Sequence, residues 1–166
     1  MRRFIVTLDQ LEKRIELLEN EKAVLEKKIR TLEDVEAIKN MHKEYVYWLN
    51  NRQWDKMLGC FIENASADIG YHGMRRGIRE IEKLFKVDVA KVNSGREGHF
   101  AVQPVISVNG DKAKGHWLLY ILFSDAATGQ ATKWIQGRYE CEYVKELGKW
   151  KFSSVIWIRP WPKQPE

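Results

Sequence analysis

Four histidines are the side chains of this 166-residue chain that could exchange a proton near neutral pH. His99 follows the segment Ser94–Gly98 and begins a predicted strand, and such loop-to-strand junctions often carry function. His42 lies on a predicted helix three residues before Tyr45, whose phenol is a proton donor at neutral pH. These residue types allow acid–base chemistry, although a lone histidine can also do no more than satisfy a backbone group.

The remaining reactive side chains indicate no metal and no disulfide framework. No two histidines have the i, i+4 or His-x-His spacing of metal ligands, and His72 and His116 are expected at the surface. Cys60 and Cys141 are far apart in the chain and are interpreted as small buried hydrophobic residues.

Charge and hydropathy limit the partners of the chain. The net charge of +5 is spread over both halves, and the cluster of Arg75, Arg76 and Arg79 is too short for a nucleic-acid footprint. No run approaches the ~20 apolar residues of a membrane span, and the N-terminus lacks the apolar stretch of a signal peptide. We therefore predict a cytoplasmic protein that binds neither nucleic acid nor membrane.

The first 32 residues have the strongest periodicity in the chain. Apolar residues recur at both seam positions of a heptad repeat, with Lys22 as the exception: Leu8, Ile15 and Ile29 at a, and Leu11, Leu18, Leu25 and Leu32 at d. This pattern predicts a coiled-coil helix that joins copies of the chain into a dimer or a trimer. The alternative is an amphipathic helix that packs on its own domain.

Helical periodicity continues after the heptads, and strand periodicity follows it. We predict helices over Asp34–Asn50, Gln53–Gly59 and Ile78–Phe85, with a first strand over Asn64–Tyr71. From His99 onward the apolar residues alternate in four runs, which begin near Phe100, Trp117, Ile135 and Trp150 and are separated by turn residues. Helices followed by an antiparallel meander indicate the α+β class.

This arrangement predicts a cavity. Three helices on one side of a strongly curved sheet leave a conical space at the open end. The seven Trp and six Tyr suit either a core or a rigid apolar pocket. Trp117 and Tyr139 are candidates for ligand contacts, with core packing as the alternative. The tail Trp157–Pro162 is interpreted as a lid over the open end, or as an ordered edge that blocks strand addition.

The residues Leu32–Lys39, Tyr45, Trp54-Asp55, Gly98-His99 and Trp150–Phe152 together resemble a SnoaL-like domain of the nuclear transport factor 2-like superfamily. The resemblance covers about residues 32–160 and is closest to the bile-acid dehydratase branch, and more distantly to scytalone dehydratase. It implies a cone-shaped, curved antiparallel sheet packed by three helices, a cystatin-like α+β barrel. We divide the chain into the coiled-coil helix, residues 1–32, and the SnoaL-like domain, residues 33–162.

The same resemblance implies the site. It places the catalytic tyrosine on Tyr45, the catalytic histidine on His99 and the C-terminal arginine on Arg159. It also places two acids of the family on Asn50 and near Ile121, where this chain has no carboxylate. A carboxylate beside a histidine fixes its tautomer and raises its basicity, so His99 is expected to be a weaker base here.

The expected activity is a dehydratase-like lyase or an isomerase that needs no cofactor and acts on an apolar cyclic hydroxy-carbonyl compound. His99 would remove the acidic proton next to the carbonyl, and Tyr45 would protonate the departing hydroxyl. Asn50, Arg159, His42, Trp117 and Tyr139 are the expected substrate contacts, and Arg159 would pair with an acidic group or close the cavity mouth. The alternative is a non-catalytic module of the same fold that binds a hydrophobic ligand or partner.

Overall fold

The computed structural model of the chain describes residues 7–92, 97–125 and 127–159. The chain divides into two compact units, Met1–Asp34 and Val35–Glu166. Most of the loop predicted over Ser94–Gly98, and the predicted tail beyond Arg159, lie outside the described residues. Within these residues, no helix combines the length and the apolar character that crossing a bilayer requires.

Helix α1 spans Leu8–Asn50 and has a recognisable signal at each end. At its start, the backbone N–H of Thr7 donates to the side chain of Gln10, and the N–H of Gln10 donates to the hydroxyl of Thr7. This reciprocal capping satisfies N–H groups that have no partner inside the helix. At its end, the N–H of Gln53 donates to the carbonyl of Trp48 and Arg52 adopts a left-handed conformation with φ of 52°, which stops the helix.

The two halves of α1 differ in the exposure of their apolar side chains. In the first unit the seam residues stay about half exposed, for example Leu18 at 47% and Leu25 at 57%. The heptad phase ends after Leu32, because Glu36 and Lys39 occupy the next two seam positions. In the second unit the helix buries a different set of residues, which are Ile38, His42, Tyr45 and Leu49.

The remaining helices are short. Helix α2 spans Trp54–Leu58 and α3 spans Ile78–Lys83. The chain then continues as a π-helix over Leu84–Val89 and a last turn, α4, over Ala90–Val92. The predicted start of the third helix, Ile78, is correct, but the change from α-helix to π-helix was not predicted. The π-helix buries Leu84, Phe85 and Val89, and π-helical turns are frequent at functional sites.

Six strands form one curved sheet that does not close on itself, which confirms the predicted α+β class. The strands are β1 Phe61–Asp68, β2 Met74–Arg76, β3 Gly98–Asn109, β4 Lys112–Ser124, β5 Ala131–Glu146 and β6 Lys149–Ile158. Their order is β2-β1-β6-β5-β4-β3, so β2 and β3 are the edges. Neighbours are antiparallel except β1 and β6, which run parallel. The first strand begins three residues earlier than predicted, and β2 was not predicted.

Edge strand β3 carries a bulge in its middle. The register with β4 shifts between Val102 and Val105, and Gln103 has a φ of 52°. Pro104 lies inside the bulge, where the N–H that proline lacks is not needed for the ladder. A bulge bends a strand and strengthens its twist. The half of β3 that contains His99 therefore runs in a different direction from the half that follows the bulge.

The core of the second unit is unusually aromatic around one histidine. The imidazole of His42 is fully buried, stacks on Trp117 at 4.0 Å between ring centroids, and has its Nδ1 3.1 Å from the hydroxyl of Tyr143. The indole N–H of Trp117 donates to the same hydroxyl at 2.8 Å. Burial lowers the pKa of His42 from 6.5 to about 3, so the ring is neutral in the folded protein.

This buried histidine makes stability depend on pH. The folded-state pKa is below the unfolded value, so the stability linked to His42 is present above pH 6.5 and is lost as pH falls toward 3. Over this window His42 adds about 1.4 kcal/mol per pH unit to the slope of unfolding free energy. We expect His42→Asn to be less stable at pH 7 and to have a shallower slope, measured by urea unfolding between pH 4 and 7. The exposed His116→Asn is the control for loss of an imidazole, and an unchanged slope in His42→Asn would contradict the prediction.

Candidate functional site

A cavity of about 280 Å³ lies in the second unit between the sheet, the end of α1 and the π-helix. Polar and apolar atoms contribute about equally to its wall. The wall is therefore more polar than that of most small-molecule sites, and the volume is at the small end of their range. The lining residues are Leu49, Ile69, Gly70, Tyr71, His72, Phe85, Val89, His99, Ile121, Phe123, Lys133, Ile135, Tyr139, Trp157 and Arg159.

Sheet register brings the strand residues of this wall together. His99 pairs with Ile121 across β3 and β4, and Ile121 pairs with Ile135 across β4 and β5. Residues directly opposite in neighbouring strands point to the same face, so these three form one row of the wall. Tyr139 and Trp157 pair across β5 and β6 and form a second row.

The indole of Trp157 reaches this wall because β5 has a glycine beneath it. A Cβ on Gly137 would lie only 2.1 Å from the indole nitrogen of Trp157. Real Cβ atoms do not come so close to another atom, so any larger residue at 137 would displace the indole. One wall of the cavity therefore depends on the absence of a side chain.

The side chain of Asn50, the last residue of α1, holds His99 by three hydrogen bonds. The backbone N–H of His99 donates to Oδ1 at 2.8 Å, Nδ2 donates to the His99 carbonyl at 3.0 Å, and the ring Nδ1 lies 2.9 Å from Oδ1. Because β3 is an edge strand, the backbone groups of His99 that face away from β4 have no neighbouring strand. The Asn50 amide takes the place of that strand at this one residue.

These contacts determine the tautomer of His99. A backbone N–H can only donate, so the amide atom that it contacts must be the oxygen of Asn50. The ring Nδ1 contacts the same oxygen and must therefore carry a hydrogen. The lone pair of the neutral imidazole is then on Nε2, which is the atom that can accept a proton.

The protonation state of His99 follows from its surroundings. Burial lowers the pKa of His99 from 6.5 to about 4, and the carboxylate of Glu97 partly opposes this effect. Asn50 adds no negative charge beside the ring. The imidazole is therefore neutral at pH 7 and able to accept a proton, but it is a weaker base than an ordinary histidine.

The two tyrosines that could act as proton donors, Tyr139 and Tyr45, occupy different positions. Tyr139 lines the cavity, whereas Tyr45 is fully buried and is not among the lining residues. Tyr45 packs edge-to-face against Phe152, Phe61 and Tyr139. Its hydroxyl forms no hydrogen bond of ordinary geometry with a described residue, but the hydroxyl of Tyr139 is close enough to act as a weak hydrogen-bond partner. Burial raises the pKa of both hydroxyls, and the contact with Tyr139 raises the pKa of Tyr45 further, so both keep their protons at neutral pH.

The other predicted contacts divide between the cavity and the core. Arg159 lines the cavity, as does Tyr139. His42 and Trp117 belong to the aromatic core described above and are not lining residues, and Asn50 acts on the site through His99. The role of Tyr45 as the acid stays a prediction; its ring packs against that of Tyr139, with 6.4 Å between centroids, and does not line the cavity.

Two basic lining residues were not predicted. Lys133 lies two residues before Ile135 on β5 and shares its face, so strand alternation could have placed it there. His72 was expected at the surface, but it follows β1 in the loop that closes one side of the cavity. Residues 7–92, 97–125 and 127–159 contain no group of three or more His, Cys, Asp or Glu that could hold a metal ion.

Residues 30–156 match the family model described as SnoaL-like domain. The chain belongs to the SnoaL-like family. The resemblance to a SnoaL-like domain predicted from the sequence is thereby confirmed. No curated protein matches this SnoaL-like chain.

Solved structures share the fold of this SnoaL-like protein at low identity. The hexachlorocyclohexane dehydrochlorinase LinA-type3 from Novosphingobium barchaimii is 20% identical, with a TM-score of 0.69 over 79% of this chain and 89% of that one. A cystatin-like protein of unknown function from Nostoc punctiforme is 16% identical, with a TM-score of 0.65 over 75% and 89%. An NTF2-like protein with a cystatin-like fold from Novosphingobium aromaticivorans is 15% identical, with a TM-score of 0.63 over 92% and 90%.

The contacts of Asn50 lead to a prediction about the base. In Asn50→Asp a carboxylate replaces the amide oxygen beside Nδ1, so the pKa of His99 should rise above its value of about 4, because the negative charge stabilises the imidazolium. The variant also loses the donor to the His99 carbonyl, so it should be about 1–3 kcal/mol less stable. NMR titration of the His99 ring and chemical unfolding measure the two effects.

Asn51→Asp is the matched control for this experiment. Asn51 is exposed, and its Nδ2 also donates to a backbone carbonyl, that of Tyr47, at 2.7 Å. The control therefore adds the same charge one residue away and removes the same kind of bond. A His99 pKa that moves equally in both variants would show that Asn50 does not control the ring.

Proposed function

We propose that this protein is a lyase of the dehydratase type, or an isomerase, that needs no cofactor and acts on a small cyclic hydroxy-carbonyl compound. The observation that carries the proposal is a neutral His99 on the cavity wall, with its Nδ1–H bound to Asn50 and its lone pair on Nε2. A fixed, neutral imidazole beside a cavity can remove a proton from a bound carbon acid.

The elimination takes place between His99 and a phenol. Nε2 of His99 takes the proton from the carbon next to the carbonyl, the electron pair forms the new carbon–carbon double bond, and the bond to the β-hydroxyl breaks. A phenol protonates the departing hydroxyl, which leaves as water. Imidazolium and phenolate then exchange the proton through solvent, which restores both groups. Tyr139 is our preferred donor because it lines the cavity, and Tyr45 supports it from the core.

The relatives support elimination as a chemistry of this fold. The name dehydrochlorinase denotes loss of hydrogen chloride, and its substrate, hexachlorocyclohexane, is a six-membered ring. Loss of hydrogen chloride and loss of water both begin with removal of a proton next to a leaving group. The cavity volume of about 280 Å³ favours a compound with one or two rings over a polycyclic one.

The roles of the two tyrosines can be separated by hydroxyl deletion. We expect His99→Gln to lower the rate of elimination by about 10²- to 10⁴-fold, because no other group takes the proton. Tyr139→Phe should lower kcat substantially, and Tyr45→Phe should lower it much less. The measurement is water loss and α-proton exchange by NMR in D2O, over a panel of cyclic β-hydroxy ketones. His72→Gln is the control, since it removes a second imidazole that lines the cavity.

The pH dependence of the same reaction has a definite sign. The base is the neutral form of His99, so kcat/KM should increase with pH through the pKa of about 4 and be constant at neutral pH. If α-proton exchange were as fast in His99→Gln as in the unaltered protein, the proposal would be excluded.

A binding module is the second candidate, and the neutral Asn50 favours it. An uncharged partner and a low pKa make His99 a weak base, which a binding protein can tolerate more easily than an enzyme. The two candidates differ in outcome: a binding module retains ligands of the panel but neither exchanges their protons nor releases water.

We propose further that the heptads join copies of the chain as a parallel coiled coil. Apolar seam residues that stay about half exposed in the single chain gain most from pairing. In a parallel pair, Arg14 at g faces Glu19 at e and Lys28 faces Glu33, whereas Glu21 faces Glu26, so two of the three flanking contacts are attractive. In an antiparallel pair the e positions face one another, and all of them are glutamates: Glu12, Glu19, Glu26 and Glu33.

A neighbouring pair of leucines tests this assembly. Leu17 and Leu18 are both 47% exposed, but only Leu18 is at a seam position. We expect Leu18→Glu to dissociate the oligomer, because it places a charge in the apolar seam, and Leu17→Glu to leave the mass unchanged. Light scattering after size-exclusion chromatography measures the mass. Equal masses for the two variants would contradict the coiled coil.

A further inference from the structure

The charged residues on the cavity wall are all cationic. Lys133 and Arg159 both line the cavity, and no aspartate or glutamate is among its described lining residues. The side chains nearest to the base are also uncharged, since Asn50 holds His99 and Ile121 pairs with it. Glu97 is the carboxylate that influences His99, and it lies outside the lining.

Arg159 is placed on the wall by aromatic rings. Its guanidinium carbon lies 4.8 Å from the ring centroid of Tyr71 and 4.8 Å from that of Trp157, and all three residues line the cavity. Ring faces stabilise the cation but offer no oxygen to its N–H groups. Arg159 takes part in none of the salt bridges among the described residues, so a ligand can supply the oxygens that its planar fork matches.

Lys133 adds a second cation from a different element. It lies near the start of β5, with its ammonium 5.5 Å from the ring centroid of Phe123 on β4. Phe123 also lines the cavity. Two cations from separate segments therefore line the same cavity and give it a positive charge.

We propose that the substrate is a small cyclic hydroxy ketone whose ring also carries a carboxylate. The carboxylate pairs with Arg159 and Lys133, the ring fills the space next to Ile121 and Ile135, and the carbon that loses a proton lies at His99. This inference rests on the proposed function for the reaction itself, but the preference for an anion is a property of binding.

The test compares carboxylates with neutral analogues of the same shape. The pairs are benzoate with benzamide, trans-cinnamate with cinnamamide, and cyclohexanecarboxylate with its amide. Isothermal titration calorimetry of the full chain at pH 7 and low salt measures each affinity. We expect at least one carboxylate to bind about tenfold or more tightly than its amide, with the difference decreasing as salt screens the charges.

Three variants locate the effect. Arg159→Gln should remove most of the preference for the carboxylate without weakening the amide, and Lys133→Gln should reduce the preference. Lys114→Gln is the matched control, because it removes one positive charge from an exposed residue of β4 that does not line the cavity. Thermal unfolding of each variant checks that the fold is intact.

The outcomes separate this inference from the proposed reaction. If no carboxylate in the series binds better than its amide, the inference is wrong, whatever the rate of elimination. If the preference exists but is unchanged in both Arg159→Gln and Lys133→Gln, the assignment to these residues is wrong. Because binding needs no proton transfer, the preference should persist in His99→Gln, where the proposed reaction is lost.

Discussion

The site depends on one contact, between the amide of Asn50 at the end of α1 and residue 99 at the free edge of the sheet. An edge strand presents backbone groups that have no neighbouring strand, and such groups are costly when buried away from water. Asn50 satisfies both the N–H and the carbonyl of His99 and, with the same oxygen, the ring Nδ1. The helix end, the edge strand and the base are therefore fixed by one side chain, which neither aspartate nor leucine could replace in all three bonds.

The charge of the cavity wall depends on the fact that the partner of His99, the amide of Asn50, is uncharged. An aspartate at position 50 would raise the basicity of His99, but it would place a carboxylate oxygen against the His99 carbonyl oxygen, where Asn50 now donates a bond. With the amide, His99 is held in one tautomer without gaining charge, and burial lowers its pKa to about 4. The cationic side chains of Lys133 and Arg159 are then not offset by any carboxylate on the described wall.

The sequence predicted the helices and strands whose apolar residues recur at regular spacing. It did not predict the features that depend on contacts between residues far apart in the chain. Helix α1 and strands β3 to β6 follow from apolar spacing, because one face of each is buried. The parallel pairing of β1 with β6 and the π-helix over Leu84–Val89 have no local signature. For the site, His99 was proposed from the family resemblance and from its position before a strand, and Asn50 was interpreted as a substrate contact at the position of a lost acid, not as the partner of His99. Its bonds to His99 span 49 residues, so no local pattern contains them.

Asn50 and the cationic wall together suggest how a weak base could still work. A carboxylate at position 50 would strengthen His99 permanently, but it would also repel an anionic substrate from the same cavity. An anion that binds at the wall stabilises the imidazolium only while it is present. The size of this effect depends on the separation of the two charges, and each ~1.4 kcal/mol of attraction changes the acid dissociation constant of the ring about tenfold. If the proposed substrate is an anion, a neutral partner for the histidine and the charge of the substrate would be two parts of one arrangement, in which His99 becomes a stronger base only when the substrate is bound.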